Sequence, residues 1–158
     1  MTIDDLHKLI SYDPETGGFT RLVILNPRAK GGWFDAKGYL HIGVGGKRFS
    51  AHRLAWALHY GEWPKGLIDH ANGVPDDNRI ANLRLANRAQ NAFNSKSRVH
   101  SAHGRKGVSR AGGCWIARIV VDGTRKYLGT YPTMEDAAEA YRAASVKFHG
   151  EFSPFVTG

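Results

Sequence analysis

Residues 68 to 91 constrain this chain more than any other stretch. They pack a carboxylate, an imidazole and several carboxamides into a short span: Asp69, His70, Asn72, Asn78, Asn82, Asn87 and Asn91. An apolar core segment would not carry so many polar groups in so regular an arrangement. Ile68 leads into Asp69 and His70, which predicts a short strand ending in two polar side chains. Asn72-Gly73 and Pro75 to Asn78 are turn chemistry, so a tight loop follows. Leu83 and Leu85 alternate with Asn82 and Arg84, as in a second strand. Asn87 can cap a helix through Ala89, Ala92 and Phe93, with Asn91 on its first turns. Strand, loop, strand and helix would bring Asp69, His70 and Asn91 to one place.

That grouping implies chemistry. A carboxylate and a carboxamide oxygen are hard ligands, suited to Mg²⁺ or Mn²⁺. Both ions tolerate open water positions, which a phosphate can fill. A neighbouring imidazole can take a proton from an attacking water near neutral pH. The ion would offset charge on the phosphate and the leaving oxygen. Together these groups would hydrolyse a phosphodiester.

The same residues, Asp69-His70, the Asn72-Gly73 loop, Asp77-Asn78-Arg79, Asn82-Leu83-Arg84 and Asn91, resemble the signature of the HNH nucleases. The closest subgroup is the phage-intron homing endonucleases with a ββα-metal fold. By position, the resemblance implies that His70 is the general base. It makes Asp69 and Asn91 the metal ligands, and Asn82 the brace of the loop under His70. Asn91 stands where the family name has a final His. That is usual in the homing subgroup and argues against a His-rich zinc site.

Composition bounds the rest. A chain of 158 residues makes one domain or two small ones, and 42% hydrophobic residues suffice for modest cores. The net charge of +8 favours an anionic partner. The single cysteine, Cys114, excludes an intramolecular disulfide framework and a Cys-rich zinc module, and fits a reducing interior; the resemblance implies the cytoplasm of a bacterial host or phage-infected cell. No run is apolar enough to span a membrane. Asp4 and Asp5 with no apolar h-region are not expected of a signal peptide.

Ahead of the motif, Thr2 and Asp5 form a predicted capping box for a helix with Leu6, Leu9 and Ile10 on one face. Tyr12 to Gly18 is a turn, and Phe19 to Leu25 reads as a strand. The opening Tyr12-Asp13-Pro14-Glu15-Thr16-Gly17 resembles the leaders of phage HNH proteins. The run 26–32 is a basic loop, as well suited to being a solvated connector as to touching a phosphate. Gly38 to Val44 and Lys47 to Ala51 predict a hairpin over Gly45-Gly46. A helix over His52 to Tyr60, stopped by Gly61, buries Leu54, Trp56 and Leu58. His52 and Arg53 at its start are either structural or contacts to the scissile phosphate. His41 and His59 read as structural.

From Asn78 to Val121 there is no Asp or Glu, while Arg79, Arg84, Arg88, Lys96, Arg98, Arg105, Lys106, Arg110 and Arg118 all occur there. A charge run is usually a solvated face. Directly downstream of a nuclease motif, this one reads as a basic linker over 96–106 that neutralises DNA phosphates.

Residues 107 to 155 predict a second unit. Gly107 to Arg110 and Trp115 to Val121 are strands joined at Gly112-Gly113. Asp122-Gly123 is a hairpin turn into Arg125 to Tyr131. Thr133 and Asp136 cap a helix with Met134, Ala137, Ala138, Tyr141 and Phe148 in one apolar stripe, ended by Gly150. The series Gly107-Val108, Trp115, Ala117, Ile119, Leu128-Gly129-Thr130-Tyr131, Ala137-Ala138, Ala140-Tyr141, Gly150 and Phe152 resembles the APETALA2-type DNA-binding domain. The resemblance implies a sheet face in the major groove, with Arg110, Trp115, Arg118, Arg125 and Tyr127 as candidate contacts. The first turn is one residue shorter than in that family, and Arg118 replaces its usual Glu. Trp115 serves equally well as cover for the small core.

The expected fold is α+β: an HNH nuclease domain over 1–95 with an N-terminal helix and hairpins, a linker over 96–106, and a three-stranded antiparallel sheet with one packed helix over 107–155. The expected function is a metal-dependent endonuclease of the homing type acting on double-stranded DNA. A monomer would nick, and a homodimer or a second event would be needed to cut both strands. Removing 107–158 is expected to weaken site choice and spare the chemistry. The alternatives are a DNA-binding regulator with an inactive HNH domain, and a structure- or RNA-directed nuclease.

Overall fold

A computed structural model describes residues 1–23, 32–94 and 105–156. The chain forms two compact units, Met1–Ala86 and Asn87–Gly158. The fold is α+β throughout, with small antiparallel sheets in both units. Among the described residues no helix is long and apolar enough to cross a membrane.

The first unit begins with α1 (Ile3–Leu9), opened by the expected box. Asp5 N donates to Thr2 Oγ1 at 3.1 Å, and Thr2 N donates to the Asp5 carboxylate at 2.8 Å. β1 (Ile10–Tyr12) pairs antiparallel with β2 (Phe19–Arg21). The strand expected to reach Leu25 is thus seen to Arg21. Its remainder from residue 24, and the basic loop up to residue 31, lie outside the described residues. β3 (Trp33–Phe34), β4 (Leu40–Val44) and β5 (Lys47–Ser50) form a three-stranded sheet in sequence order. α2 (Ala51–Tyr60) follows, and Gly61 ends it in the left-handed region at φ 72°.

Strand alternation decides which side of that sheet is covered. Ile42 and Val44 face inward with Leu6, Ile10, Leu54 and Leu58, forming the main core. Leu40, Phe49 and Trp63 pack at its margin. Trp33, 43% exposed, stands on the other face and stacks on His41 with ring centroids 5.6 Å apart.

β6 (Leu67–His70) and β7 (Leu83–Ala86) form a two-stranded ribbon, with a 3₁₀ turn at Ile80–Asn82 before β7. A smaller cluster of Ala55, Ile68 and Leu83 joins this ribbon to α2. The Tyr12–Gly18 turn braces the ribbon's long loop. Tyr12 Oη donates to Asn78 O at 2.7 Å, and Ile80 N donates to Pro14 O at 3.0 Å. Burial pushes the Tyr12 phenol up to about 12, so it stays a donor.

The second unit opens with α3 (Arg88–Asn94). Beyond residues 95–104, which lie outside the described residues, come β8 (Val108–Ala111), β9 (Cys114–Val121), β10 (Thr124–Tyr131) and α4 (Met134–His149). The sheet order is β10-β9-β8. Asp122 and Gly123 take φ 51° and 75°, the left-handed pair a two-residue hairpin turn needs. Thr133 caps α4 by accepting from Asp136 N at 3.1 Å. Ala137, Ala138, Tyr141 and Ala144 pack on Val108, Ala117 and Ile119.

One end of the α4 stripe differs from expectation. Phe148 is 39% exposed, with Lys126 and Lys147 ammonium groups over its ring, while His149 is buried. His149 is held inward by its bond to Val120 O on β9 at 2.9 Å.

Gly17 has no room for a side chain. Its φ is 75°, and a Cβ there would meet Arg79 N and Asn78 C at 2.7 Å. Both are backbone atoms, which cannot swing aside. Gly17→Ala should therefore destabilise the first unit by about 1–3 kcal/mol. Chemical denaturation would measure it, and an unchanged midpoint would show that the turn does not press on the loop.

Candidate active site

The site is built from the ribbon. In its register Asp69 lies opposite Arg84, and His70 lies opposite Leu83. Cross-strand partners share a face, so Asp69 and Arg84 meet. Arg84 Nε and Nη2 donate to Asp69 Oδ2 at 2.9 and 2.7 Å. The Asp69 side chain is 6% exposed and that of Arg84 16%. Arg84, a candidate DNA contact, thus directs its guanidinium to the carboxylate. An ionised carboxylate has lone pairs on both oxygens, so a guanidinium and a cation can share it.

His70 is one residue further on and alternates to the opposite face, beside Ile68 and Leu83. The ring is buried. Its pKa is lowered, first by burial, while the Asn78 carboxamide and the Asp69 charge pull the other way. Two aromatic neighbours enclose it. His52 meets it edge-on with centroids 5.3 Å apart, and Tyr39 lies 5.7 Å away. Tyr39 also packs on His52 at 5.6 Å. The His52 pKa is pushed down to about 4, first by burial and then by the His70 charge. At neutral pH His52 is therefore uncharged and brings no positive charge to a phosphate. Arg53, the other residue considered there, donates to Gly66 O at 3.0 Å and Pro64 O at 3.3 Å.

Asn82 closes the loop between the strands. Its Oδ1 accepts from Asn72 N at 2.9 Å, and its Nδ2 donates to Asp77 O at 2.8 Å. Its own carbonyl accepts from Ala71 N at 2.9 Å. Asn72 Nδ2 donates to Asp77 Oδ2 at 2.7 Å. Arg79 grips the same carboxylate with Nε at 2.8 Å and Nη2 at 2.6 Å, holding the Asp77 pKa down near 2. Arg79, expected on DNA, is engaged in the loop.

Asn91 is exposed on α3 in the second unit, while Asp69, His70 and Asn82 belong to the first. Asn87 caps α3 reciprocally with Gln90: Gln90 N donates to Asn87 Oδ1 at 2.9 Å, and Asn87 N to Gln90 Oε1 at 2.8 Å. Among the described residues no three His, Cys, Asp or Glu side chains gather as a metal cluster. A divalent ion here would have Asp69 as its carboxylate and carboxamide, water or phosphate oxygens for the rest. That donor set suits a hard, partly hydrated ion.

The other candidates divide by face. On the C-terminal sheet Tyr127 lies opposite Arg118 and Arg125 opposite Val120, and all are exposed. Trp115 packs toward the core under α4, and Arg110 is its register partner. Lys106 Nζ donates to Ala92 O and Phe93 O, both at 2.8 Å. Arg105 is exposed, and Lys96 and Arg98 lie outside the described residues. Tyr39 and Asn78 are the neighbours of His70 that sequence reasoning missed. Asn78, 2% exposed inside a turn, stood in the motif itself. Tyr39, far off in sequence, gave no signal.

Residues 49–93 match the family model described as HNH endonuclease. Protein 3.8 of Escherichia phage T7 is 31% identical over 107 residues, spanning 66% of this chain and 88% of that protein. A protein of Acanthamoeba polyphaga mimivirus named as an uncharacterized HNH endonuclease is 28% identical over 123 residues. That match spans 77% of this chain and 64% of the relative. The solved structure of the HNH homing endonuclease I-HmuI is 27% identical, with a TM-score of 0.47, covering 88% of this chain and 80% of that one.

Two outcomes follow from the geometry. Asn82→Ala strands the Asn72 amide and the Asp77 carbonyl, and should lower stability by about 1–3 kcal/mol in urea unfolding; an unchanged midpoint would remove the brace. His52 gives a pH signature. Below its unfolded value of about 6.5 the unfolded chain takes up a proton that the folded chain refuses until about 4. Stability should therefore fall across that window as pH drops, and His52→Phe should make the fall shallower. An identical slope of melting temperature against pH in the variant would contradict this.

Proposed function

The chain belongs to the HNH endonuclease family, and from that premise we propose that it nicks duplex DNA by hydrolysis with His70 as the general base. The observation that carries the reading is the His70 ring, buried at the end of β6 and uncharged because burial lowers its pKa. A neutral imidazole can accept the proton of a water attacking phosphorus. Asn82, by holding the loop that follows His70, keeps the ring's setting fixed while the proton moves.

Asp69 and Asn91 are the proposed holders of a divalent cation, Mg²⁺ or Mn²⁺. When bound, it would offset charge on the phosphate and the leaving oxygen. Arg84 fixes the Asp69 carboxylate through Oδ2 and so limits the directions it can present. One such centre cuts one strand per visit. A break in both strands needs a second copy or a second event.

For the C-terminal sheet we propose an APETALA2-like role in DNA binding. Arg118, Arg125 and Tyr127 share the face away from α4, where a sheet can lie in the major groove and Arg can pair with guanine edges. Site choice by this face would make the enzyme homing-like. A reducing cytoplasm, bacterial or phage-infected, would keep exposed Cys114 a thiol.

The test is nicking of supercoiled plasmid with Mg²⁺, with Mn²⁺ and with EDTA. His70→Ala should lose at least about 100-fold in rate and retain duplex binding. EDTA should abolish nicking by the wild-type chain. Cleavage by His70→Ala at the wild-type rate would remove the general-base assignment, and cleavage in EDTA would remove the ion.

A further inference from the structure

The helix that carries Asn91 is held by the C-terminal unit from within. Phe93, two residues after Asn91, lies flat on the His149 ring, with centroids 3.7 Å apart and planes 3° from parallel. His149 is buried at the end of α4 and tied on two sides. Its Nε2 is 2.9 Å from Val120 O on β9, and its Nδ1 is 3.4 Å from Ser145 Oγ. Ser145 Oγ in turn bonds Ser153 Oγ at 2.8 Å, just past the 3₁₀ turn Gly150–Phe152. From the other side, Lys106 donates to Ala92 O and Phe93 O, two carbonyls in the last turn of this seven-residue helix. Asn94 closes the helix and is buried.

A helix of seven residues does not persist alone in water, because nucleation is unfavourable and too few bonds follow. α3 therefore depends on tertiary contacts, and these come from residues 106, 149 and their neighbours.

We propose that His149 and Lys106 are positioning residues for cleavage: they fix α3, and through it Asn91. This rests on the reading of Asn91 as an ion ligand. It also revises the expectation that residues 107–158 can be removed without touching the chemistry. Val120, whose carbonyl meets His149, lies between Arg118 and the Asp122 turn on the strand proposed to face DNA. Contact with DNA on β9 thus sits one hydrogen bond and one ring stack away from α3.

The experiment uses the full chain with Phe93→Ala, and Phe93→Tyr to keep a ring against His149. Amide hydrogen exchange over residues 88–94 should be faster in Phe93→Ala and near wild type in Phe93→Tyr. The Mg²⁺ concentration for half-maximal nicking should rise about tenfold in Phe93→Ala, with duplex affinity in EDTA unchanged. Unchanged exchange over 88–94 would overturn the anchoring. Faster exchange with a wild-type Mg²⁺ requirement would overturn the positioning role. Asn91→Ala, run in parallel, should lose nicking while keeping wild-type exchange. If it nicks normally, the ligand reading falls, and the exchange data separate that failure from a failure of the anchor.

Discussion

The carboxamide of Asn82 faces two ways at once, and the ribbon's loop depends on it. One end takes the amide of Asn72, and the other gives to the carbonyl of Asp77. An apolar side chain could do neither, and a carboxylate would set acceptor against acceptor at Asp77. With the loop pinned, the Asp77 carboxylate gathers Asn72 and Arg79, and the Tyr12 hydroxyl reaches Asn78 from the N-terminal hairpin. His70 inherits its fixed position from this net. The loop's charges are spent on its own geometry, which is why Arg79 serves the fold before it can serve any ligand.

Burial sets the protonation of the site. His70, His52 and Tyr39 enclose one another, and the loss of water disfavours the charged imidazoles more than the nearby carboxylates restore them. A base must be uncharged to accept a proton, so the aromatic surround suits the ring to its proposed task. Asp69 has a different setting. It shares the opposite face with Arg84, and strand alternation alone keeps an ion-pairing carboxylate and a neutral imidazole on adjacent residues.

Much of this was legible in the chain. The capping box at Thr2, the Asn87 cap, the Gly61 stop and the Asp122-Gly123 turn each rest on local stereochemistry, which neighbouring residues specify unaided. The Asp69, His70, Asn82 and Asn91 pattern lies within residues 49–93, the stretch that matches the HNH endonuclease model. Its residue types have few other uses at that density.

What the sequence could not carry is the pairing of residues distant along the chain. Nothing near Tyr39 says that it will lie on His70, nothing near Phe93 points to His149, and nothing in the α4 stripe says that position 149 will turn inward in place of 148. The basic residues teach the same lesson. Composition counts their charges, but only the folded chain decides that Arg84 meets Asp69, Arg53 meets the 64–66 turn and Lys106 meets the end of α3. The sequence by itself determined the elements and the reactive groups, because backbone preference and side-chain chemistry are properties of the residue and its neighbours. Tertiary structure alone decided which cations hold the protein together, since an ion pair or a ring stack exists only when packing brings its two halves within a few ångströms.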